Sequence, residues 1–441
     1  MTDTGNSNTG ITYLLWQDLA GVTRTRGVPT QDVPRRLATG LGWARAGQAL
    51  TAFNNIVDNP WGPMDEVRQI PDPAAGFTIP ASHGLPDFNA MLCDSKQDPS
   101  TEWGCCVRSF YRAALADLVA ETGLTIFASF EHEFSVSGPG FTPSAGFSIA
   151  AVQQKNDFLT ALEAALTATG VTTYTIEPEY GVGQYEVACA PETGVRAADA
   201  CVIARETIRE IARRHGLIAS FTPKPALDAV GNGAHVHLSL LDATGANCTF
   251  DDAGPMHLSP IAAQFCAGIL DHIDALMAIT APTPVSYYRI GPHYWSSGYR
   301  AVGLQNREAS LRITPGIGDL AARTRGHNIE YRPCDGTASP YLVLGVLVRA
   351  GLDGIRRGLT CPPGITEDPA DMTQAARDAA GVRPLPASLD AALDGLLADK
   401  GASGWFDPDL LSTYLAIKRW EIGMVGQVGE DAAFARYRSA Y

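Results

Sequence analysis

Apolar residues along the chain follow two spacings, one typical of β-strands and one typical of helices. Residues 125–137 (TIFASFEHEFSVS) are rich in β-branched and aromatic side chains and lie between Gly123 and Gly138, which predicts a strand. Side chains alternate between the faces of a strand, so Glu131 and Glu133 share one face and the flanking phenylalanines share the other. Because neighbouring like charges repel, this pair is either a solvated strand face or half of a metal site.

The same spacings divide the chain into two unequal units. Residues 1–10 are polar and predict a disordered tail, and residues 11–105 hold strand-like runs broken by Pro and Gly, with one short helix over 33–39. Helical and strand patterns alternate over 106–441, which predicts a larger domain whose sheet carries helices on one side. Predicted helices cover 106–122, 157–169, 198–214, 260–279, 340 onward, 385–398 and 410–423, and further strands cover 184–189, 234–240, 309–314 and 328–332. Ser259–Pro260 and Ser339–Pro340 should each begin a helix with a cap and a proline.

Composition narrows the function classes without naming one. A net charge of −14 argues against nucleic acid or a membrane as the main partner, and 45% hydrophobic residues predict a globular protein. The nine cysteines form no CxxC pair, which predicts reduced thiols in a cytoplasmic protein without a disulfide framework or zinc site. The polar N-terminus lacks the apolar stretch of a signal peptide, and Arg349 interrupts the most apolar segment, so we expect no membrane span.

Further segments place charged or imidazole side chains on one strand face. They are Gln184 with Glu186, preceded by Glu179; His235 with His237 and Ser239; Arg312; and Glu330 with Arg332. If these faces converge, burying so much like charge would be costly without counter-ions, and divalent cations would solve the problem. Carboxylates with one or two imidazoles favour Mg²⁺ or Mn²⁺ over zinc.

Four arginines fall within a short stretch that is poor in lysine: Arg289, Arg307, Arg312 and Arg332. Arginine suits bidentate binding of phosphate or carboxylate, so metals and arginines in one cavity indicate phosphoryl transfer. The sequence has no P-loop and no GxGxxG opening a helix, so a nucleotide would be bound by another architecture. From the residues alone, a metal-dependent hydrolase barrel carrying His235 and His237 also stays open, although it would leave the surplus of Glu unexplained.

In order and spacing, these segments resemble the glutamine synthetase family, in particular type I-like members with the character of γ-glutamylpolyamine or γ-glutamylethanolamide-type synthetases. The motifs are Glu131-His-Glu133; Glu179 with Gly183-Gln-x-Glu186; Pro223-Lys-Pro225 before Gly231-Asn-Gly-Ala-His-Val-His237; Asn306-Arg307 before Leu311-Arg-Ile313; and Ile329-Glu-Tyr-Arg332 before Ser339-Pro-Tyr-Leu342. The resemblance implies an α+β fold: a small N-terminal β-grasp domain over 11–105 and a catalytic domain over 106–441 with a curved antiparallel sheet and flanking helices. It also implies a homo-oligomer of stacked rings, commonly a dodecamer, with active sites between subunits.

The resemblance implies a role for each candidate residue. Glu133, Glu179 and Glu186 would hold the metal near the acid substrate, and Glu131, His235 and Glu330 the metal on the nucleotide phosphates. Arg307 and Arg312 would face the ATP phosphates, with His237 and Ser239 beside ATP, and Gly231, Arg289 and Arg332 would bind glutamate and its acyl phosphate. The implied reaction needs ATP and two or more Mg²⁺ or Mn²⁺ ions. The γ-carboxylate of glutamate attacks ATP, and a nitrogen nucleophile then displaces phosphate from γ-glutamyl phosphate.

Departures from the family pattern concern the nitrogen substrate. The stretch Trp43–Gln48 has no acid where glutamine synthetases carry an Asp for ammonium, which leaves Glu66 or Asp65 as the acidic partner. Trp295 stands where a lid Glu is expected. We therefore predict a ligase for an organic amine, with Trp295 and Trp43 as an apolar wall, unless these rings only pack the core or a subunit contact.

Other functions stay open at this stage. They are an ammonia-using glutamine synthetase and a non-catalytic family member kept as a structural or binding protein. Val230, where an Asn is expected, leaves open whether the acid is glutamate or a close analogue.

Overall fold

Two sheets share one continuous hydrophobic core. This computed structural model describes residues 10–441, so the tail predicted over residues 1–10 lies outside that range except for Gly10. The N-terminal elements are β1 (Ile11–Gln17), β2 (Thr23–Pro29), α1 (Val33–Thr39), β3 (Leu41–Ala44), β4 (Glu66–Ile79), β5 (Phe88–Asp98) and β6 (Thr101–Glu102). Their strands are ordered β2-β1-β5-β4-β3, with β6 on β5 and a parallel β1–β5 pair.

The second sheet is larger and lies among helices. Its strands are β7 (Thr125–Ser137), β8 (Thr173–Pro178), β9 (Gln184–Cys189), β10 (Glu192–Thr193), β11 (Ile218–Ser220), β12 (Val236–Leu241), β13 (Tyr299–Leu304), β14 (Ala309–Thr314), β15 (Asn328–Tyr331) and β16 (Arg383–Pro384). The order is β16-β13-β14-β15-β12-β7-β9-β8, with β10 and β11 on β7. Within the described part of this second sheet, pairing is antiparallel apart from β13 with β14. The predicted α+β class is confirmed.

The helices of this unit cover much of the rest of the chain. They are α2 (Val107–Thr122), α3 (Ile149–Gln153), α4 (Asn156–Ala168), α5 (Arg196–Arg214), α6 (Pro260–Asp271), α7 (Ile273–Thr280), α8 (Leu320–Gly326), α9 (Pro340–Arg357), α10 (Gln374–Ala380), α11 (Leu389–Ala398), α12 (Lys400–Ser403), α13 (Pro408–Val428) and α14 (Glu430–Ala440). Helices α6 and α9 cross where both carry glycine. A Cβ on Gly268 would lie 2.1 Å from the carbonyl oxygen of Ala350, so only glycine permits this approach.

Strand β7 has the predicted bounds and joins four other strands of the second sheet. Its apolar face buries Phe130 and Phe134 almost completely, while Glu131 and Glu133 on the other face stay partly accessible. Because side chains alternate along a strand, burial of the two phenylalanines leaves the two carboxylates on the opposite face, which is the face available for a functional site.

A buried guanidinium ties the two units together. Arg108 at the start of α2 binds Asp199 of α5 (2.8 Å), Asp94 of β5 (2.9 Å) and Asp72 of β4 (2.7 Å). Burial would raise the pKa of Asp72, but the hydrogen bond and charge of Arg108 outweigh it and lower that pKa. The division predicted near residue 105 falls between β6 and α2.

The structure corrects several sequence-based boundaries. The continuous helix predicted over 260–279 is wrong: α6 and α7 are bent by 74° at His272, whose ring binds Asp399 (2.5 Å) and Asp353 (3.0 Å). Ser259 caps α6 as predicted, but the Ser339 hydroxyl is buried without a partner and does not cap α9.

Other helix and strand boundaries differ from the predicted ones by a few residues. The helix predicted from residue 385 begins at Leu389, with Ser388 as its cap, and the strand predicted from residue 234 begins at Val236. All nine cysteines are free thiols. Across residues 10–441, no single helix is long and apolar enough to cross a membrane, although the bent α6–α7 pair passes by length and composition together.

Candidate active site

A row of carboxylates crosses three neighbouring strands on the polar face of the second sheet. Glu133 on β7 is directly opposite Glu186 on β9, which is directly opposite Glu177 on β8. Opposite residues of antiparallel strands project to the same side, so these carboxylates are close neighbours. Glu179 follows β8, where its backbone N–H donates to the carbonyl of Gln184 (2.9 Å). We call Glu133, Glu186, Glu177 and Glu179 the carboxylate row.

Two imidazoles and a further carboxylate adjoin the row on the side of β12 and β15. His235 Nδ1 lies 3.3 Å from Glu131 Oε2, 3.9 Å from Glu133 Oε1 and 3.7 Å from Glu330 Oε1. His237 Nε2 lies 3.1 Å from Glu131 Oε1. Both histidines therefore project to the same side as Glu131, as strand alternation predicts.

The buried acids hold more negative charge than the neighbouring cations offset. Burial, with the charges of Glu131 and Glu133, raises the pKa of Glu186 to about 10. Burial, with the charge of Glu133, raises the pKa of Glu179 to about 7. Burial alone would lower the pKa of His237, but Glu131 raises it to about 9. Shifts of this size concentrate at functional sites, where like charges are held together away from water.

The donor atoms fit hard divalent cations. Ligand atoms of Glu131, Glu186 and His235 lie within 4.8 Å of one another, and so do those of Glu131, His237 and Glu330. Carboxylate-rich sets with an imidazole suit Mg²⁺ or Mn²⁺, and a cation would remove the repulsion around Glu186. The sequence assigned His235 to the metal held by Glu131 and Glu330, and it assigned His237 to ATP. In the second group of ligand atoms, His237 takes the place expected for His235.

Two glycines let the backbone lie close to the acid side of the cluster. A Cβ on Gly231 would lie 2.6 Å from Cγ of Arg289, and a Cβ on Gly233 would lie 2.9 Å from Nε2 of His235. The N–H of Gly233 donates to Glu133 Oε2 (2.8 Å), which fixes that carboxylate. A side chain at either position would displace a residue of the site.

Three of the four predicted arginines reach the site through fixed contacts. Arg312 donates to Glu330 (2.8 Å), and Arg332 donates to the other oxygen of the same carboxylate. Arg289 is buried and donates to the carbonyl of Cys334 (2.9 Å). Planar guanidinium groups held beside a divalent-cation site can offset charge that develops on a transferring phosphoryl group.

A cavity of about 270 Å³ opens beside Glu131 and His237. Its walls include Ser239, whose hydroxyl donates to the carbonyl of His327 (3.0 Å), and Asn328, whose Oδ1 lies 2.8 Å from His237 Nδ1. Its remaining lining residues include Phe127, Tyr174 and Arg325. The cavity runs from a metal-type cluster to a partly apolar wall.

The segment Gly291–Ser297, which we call the lid segment, carries Trp295 beside the site. The N–H of Trp295 donates to Glu308 (2.8 Å), and its carbonyl accepts from Arg332 (2.5 Å). Its indole ring is 52% exposed and lies 6.0 Å from the Arg307 guanidinium. The lid segment is thus held by Glu308 and by Arg332, and Arg332 also binds Glu330.

The predicted residues of the N-terminal unit lie apart from the carboxylate row. Glu66 on β4 is exposed and pairs with Arg68 (2.8 Å). The Trp43 ring packs edge-on against Trp16, with centroids 4.9 Å apart, and lies against Gly47. Within one chain, Trp43 therefore packs the N-terminal unit and Trp295 alone of the two tryptophans lies at the site.

Sequence reasoning missed four residues that the structure adds: Glu177, Glu308, Arg325 and Asn328. Glu177 lies on β8, whose exposed residues carry little strand signal. Glu308 directly follows a predicted site residue, but only the lid segment gives it a partner. Arg325 lies between the predicted Arg312 and Arg332, and its position in a short helix gave no strand pattern that would assign it to a shared face.

Comparison with known proteins places these features in a family. The profile described as glutamine synthetase, catalytic domain, matches residues 104–437, and the glutamine synthetase N-terminal domain matches residues 7–103. The chain is 34% identical to gamma-glutamylpolyamine synthetase GlnA3 of Streptomyces coelicolor, covering 99% of this chain and 95% of that protein. It is 32% identical to the glutamine synthetase of Methanocaldococcus jannaschii, covering 85% and 82%. A crystal structure of a novel glutamine synthase homolog superposes with a TM-score of 0.91 at 36% identity, covering 99% of this chain and 100% of that one.

Proposed function

The chain belongs to the glutamine synthetase family and is an ATP-dependent ligase, and we propose that its nitrogen substrate is an organic amine. The product would be a γ-glutamyl amide, formed through γ-glutamyl phosphate. The similarity to a γ-glutamylpolyamine synthetase over nearly the whole chain supports this choice of acceptor.

One observation carries the proposal. The site keeps its carboxylates, imidazoles and arginines, but the lid position expected to hold a Glu presents the half-exposed ring of Trp295. An aromatic ring beside a carboxylate row suits the carbon skeleton and positive charge of an alkylammonium better than it suits ammonium alone.

The residues divide the work of the reaction. Glu131, Glu133, Glu179, Glu186, His235 and Glu330 would hold divalent cations, with His237 and Ser239 beside ATP. Such cations supply charge neutralisation where the phosphate and carboxylate anions meet. Arg307 and Arg312 would offset the charge of the γ-phosphoryl group as the glutamate carboxylate attacks it and ADP leaves.

The second half of the reaction takes place at the acid side. Gly231, Arg289 and Arg332 would orient glutamate and its acyl phosphate. The amine nitrogen then attacks the acyl carbon, phosphate leaves and the nitrogen loses a proton. The lid segment would keep water from the acyl phosphate, because hydrolysis competes with attack by the amine.

The site is also proposed to be completed by a neighbouring subunit, since the family typically forms oligomers. In a ring assembly, Glu66 of the N-terminal unit would face the acceptor in the adjacent chain. This accounts for its distance from the carboxylate row within one chain and for its exposure.

Phosphate release tests the proposal most simply. The enzyme is supplied with ATP, glutamate and Mg²⁺ or Mn²⁺, and kcat/KM is measured for ammonia, a monoamine, ethanolamine, a diamine and a polyamine. We expect at least one organic amine to exceed ammonia by tenfold or more. Ready synthesis of glutamine without conjugation of any amine would refute the proposal.

The second candidate is an ammonia-using glutamine synthetase. It is favoured by the 32% identity to the Methanocaldococcus jannaschii enzyme over 85% of this chain. The same assay separates the two candidates, because ammonia would then be the best acceptor. Glutamate replaced by its close analogues in that assay would test the acid specificity left open by Val230.

A further inference from the structure

Three aromatic rings form an exposed rim beside the carboxylate row. The Phe147 and Tyr180 rings lie edge to face with centroids 4.9 Å apart, and the Tyr180 and Trp295 rings do so at 6.2 Å. Each of the three side chains is about half exposed. We call Phe147, Tyr180 and Trp295 the aromatic rim. Exposed rings gathered next to a catalytic cluster, rather than scattered singly, indicate a contact surface for a ligand.

The backbone of the rim is held in an unfavourable conformation. Trp295 has a φ of +53°, which is strained for a bulky side chain. Its peptide groups are fixed on both sides, the N–H by the 7% exposed carboxylate of Glu308 and the carbonyl by Arg332. Strain of this kind persists where the surroundings enforce it, and here it presents an indole ring to solvent instead of burying it. A ring fixed in advance loses little entropy on binding.

Glu177 supplies a carboxylate on the strand that leads into Tyr180 of this rim. It is the outermost member of the carboxylate row, because β8 lies at the edge of the sheet. Among the described residues Glu177 forms no ion pair within 4 Å, and it belongs to none of the three groups whose ligand atoms could hold a metal. Tyr180 follows it by three residues, across the turn that carries Glu179. The sheet edge therefore combines a carboxylate without a partner and three aromatic rings.

From this arrangement we propose that Glu177 and the aromatic rim bind a second, remote ammonium group of the acceptor. The acceptor would then be a diamine or a longer polyamine rather than a monoamine. Aromatic faces attract ammonium groups, and a carboxylate adds charge complementarity. Glu177 stands two strand spacings, about 10 Å, from Glu133, so the remote group would be separated from the reacting nitrogen by an alkyl chain. This inference rests on the proposed function, because it assumes an amine acceptor.

A matched pair of acceptors isolates the remote charge. 1,4-Diaminobutane and butylamine share a reacting amine and a four-carbon chain and differ in the second ammonium group. We expect the wild-type enzyme to prefer the diamine in kcat/KM. Glu177→Gln and Tyr180→Leu should each reduce that preference by roughly three- to tenfold, the size of one exposed charge pair or ring contact.

Glu163→Gln provides the matched control. Glu163 is an exposed carboxylate on α4 whose side chain accepts only from Thr167 within the described chain, so its neutralisation should leave the preference unchanged. Melting temperatures of all variants show whether each is folded, and KM for ATP and glutamate reports on the rest of the site.

Each outcome decides something different. Equal use of butylamine and 1,4-diaminobutane by the wild type would overturn the remote subsite and leave the amine-ligase proposal intact. An equal loss of activity on both acceptors in Glu177→Gln, with a raised metal requirement, would also overturn it and make Glu177 a metal ligand. Use of ammonia alone would refute the proposed function itself.

Discussion

Replacing Glu186 with Gln should change the stability of the metal-free protein and its response to metal in opposite directions. Glu186 is 8% exposed, and burial with the charges of Glu131 and Glu133 raises its pKa from 4.5 to about 10. A carboxyl group whose folded-state pKa is raised stabilises the fold fully below its unfolded pKa, and this contribution is lost as pH rises toward 10. Stability of the metal-free wild type should therefore fall with pH in this window.

The magnitude follows from the size of the window. Between pH 4.5 and pH 7.5, a loss of about 1.4 kcal/mol per pH unit amounts to about 4 kcal/mol. With about 2.1 cal/mol/K of unfolding entropy per residue, a chain of 441 residues converts this into about 4 °C. Glu186→Gln, which cannot ionise, should melt up to that much higher than the wild type at pH 7.5 in EDTA.

Manganese should remove most of this difference in melting temperature. At a concentration of 100 times Kd, Mn²⁺ adds about 2.7 kcal/mol to the wild type, or about 3 °C here. Glu186→Gln should lose most of that gain, while the surface control Glu163→Gln should behave as the wild type in both conditions. A thermal-shift titration in EDTA and in Mn²⁺ at pH 6, 7 and 8 measures both effects. A lower melting temperature of Glu186→Gln in EDTA, or an undiminished Mn²⁺ shift, would refute the reasoning.

Three further predictions concern other parts of the chain. Arg108→Ala leaves the buried carboxylate of Asp199 and the partly buried one of Asp72 without their cation. It should destabilise the protein by about 3–5 kcal/mol, seen as a lower melting temperature; an unchanged one would contradict this. Burial would lower the pKa of His272, but Asp399 and Asp353 raise it. The protonated ring therefore stabilises the fold below pH 6.5, and this stabilisation is lost at higher pH. His272→Gln should therefore melt below the wild type at pH 6 and approach it by pH 9, and a constant difference would exclude this linkage. Glu308→Ala should raise KM for the amine more than it lowers kcat, because the Trp295 N–H loses its acceptor. Glu308→Gln keeps an acceptor oxygen and should restore most of the loss. Equal effects of the two variants would argue against a role of Glu308 in positioning Trp295.

The parts of the fold with a strict local period were predictable. β7 and its two carboxylates follow from strict alternation, and the bounds of β7, β9 and β14 agree with the structure. Elements that depend on distant partners were not predictable. The break between α6 and α7 interrupts a continuously apolar helical pattern, and it coincides with a histidine bound to acids far away in sequence.

The same distinction applies to the site. Glu131, Glu133, His235 and His237 are close because each strand face was predicted correctly and the sheet order brings the faces together. Glu177, the outermost member of the row, was not predicted. It lies on an edge strand with little hydrophobic alternation, so the sequence did not show which face its carboxylate occupies. The contacts of Glu308 and Arg332 with the lid segment were not predictable either, because both bind backbone atoms of Trp295, which carry no sequence signal.

A single competition reaction tests directly whether the acceptor is an organic amine or ammonia. The enzyme receives ATP, glutamate and Mg²⁺ with equal concentrations of ammonia and 1,4-diaminobutane, and mass spectrometry measures the ratio of the two products. We expect γ-glutamyl-diaminobutane to exceed glutamine by at least tenfold. Glutamine as the main product would contradict it.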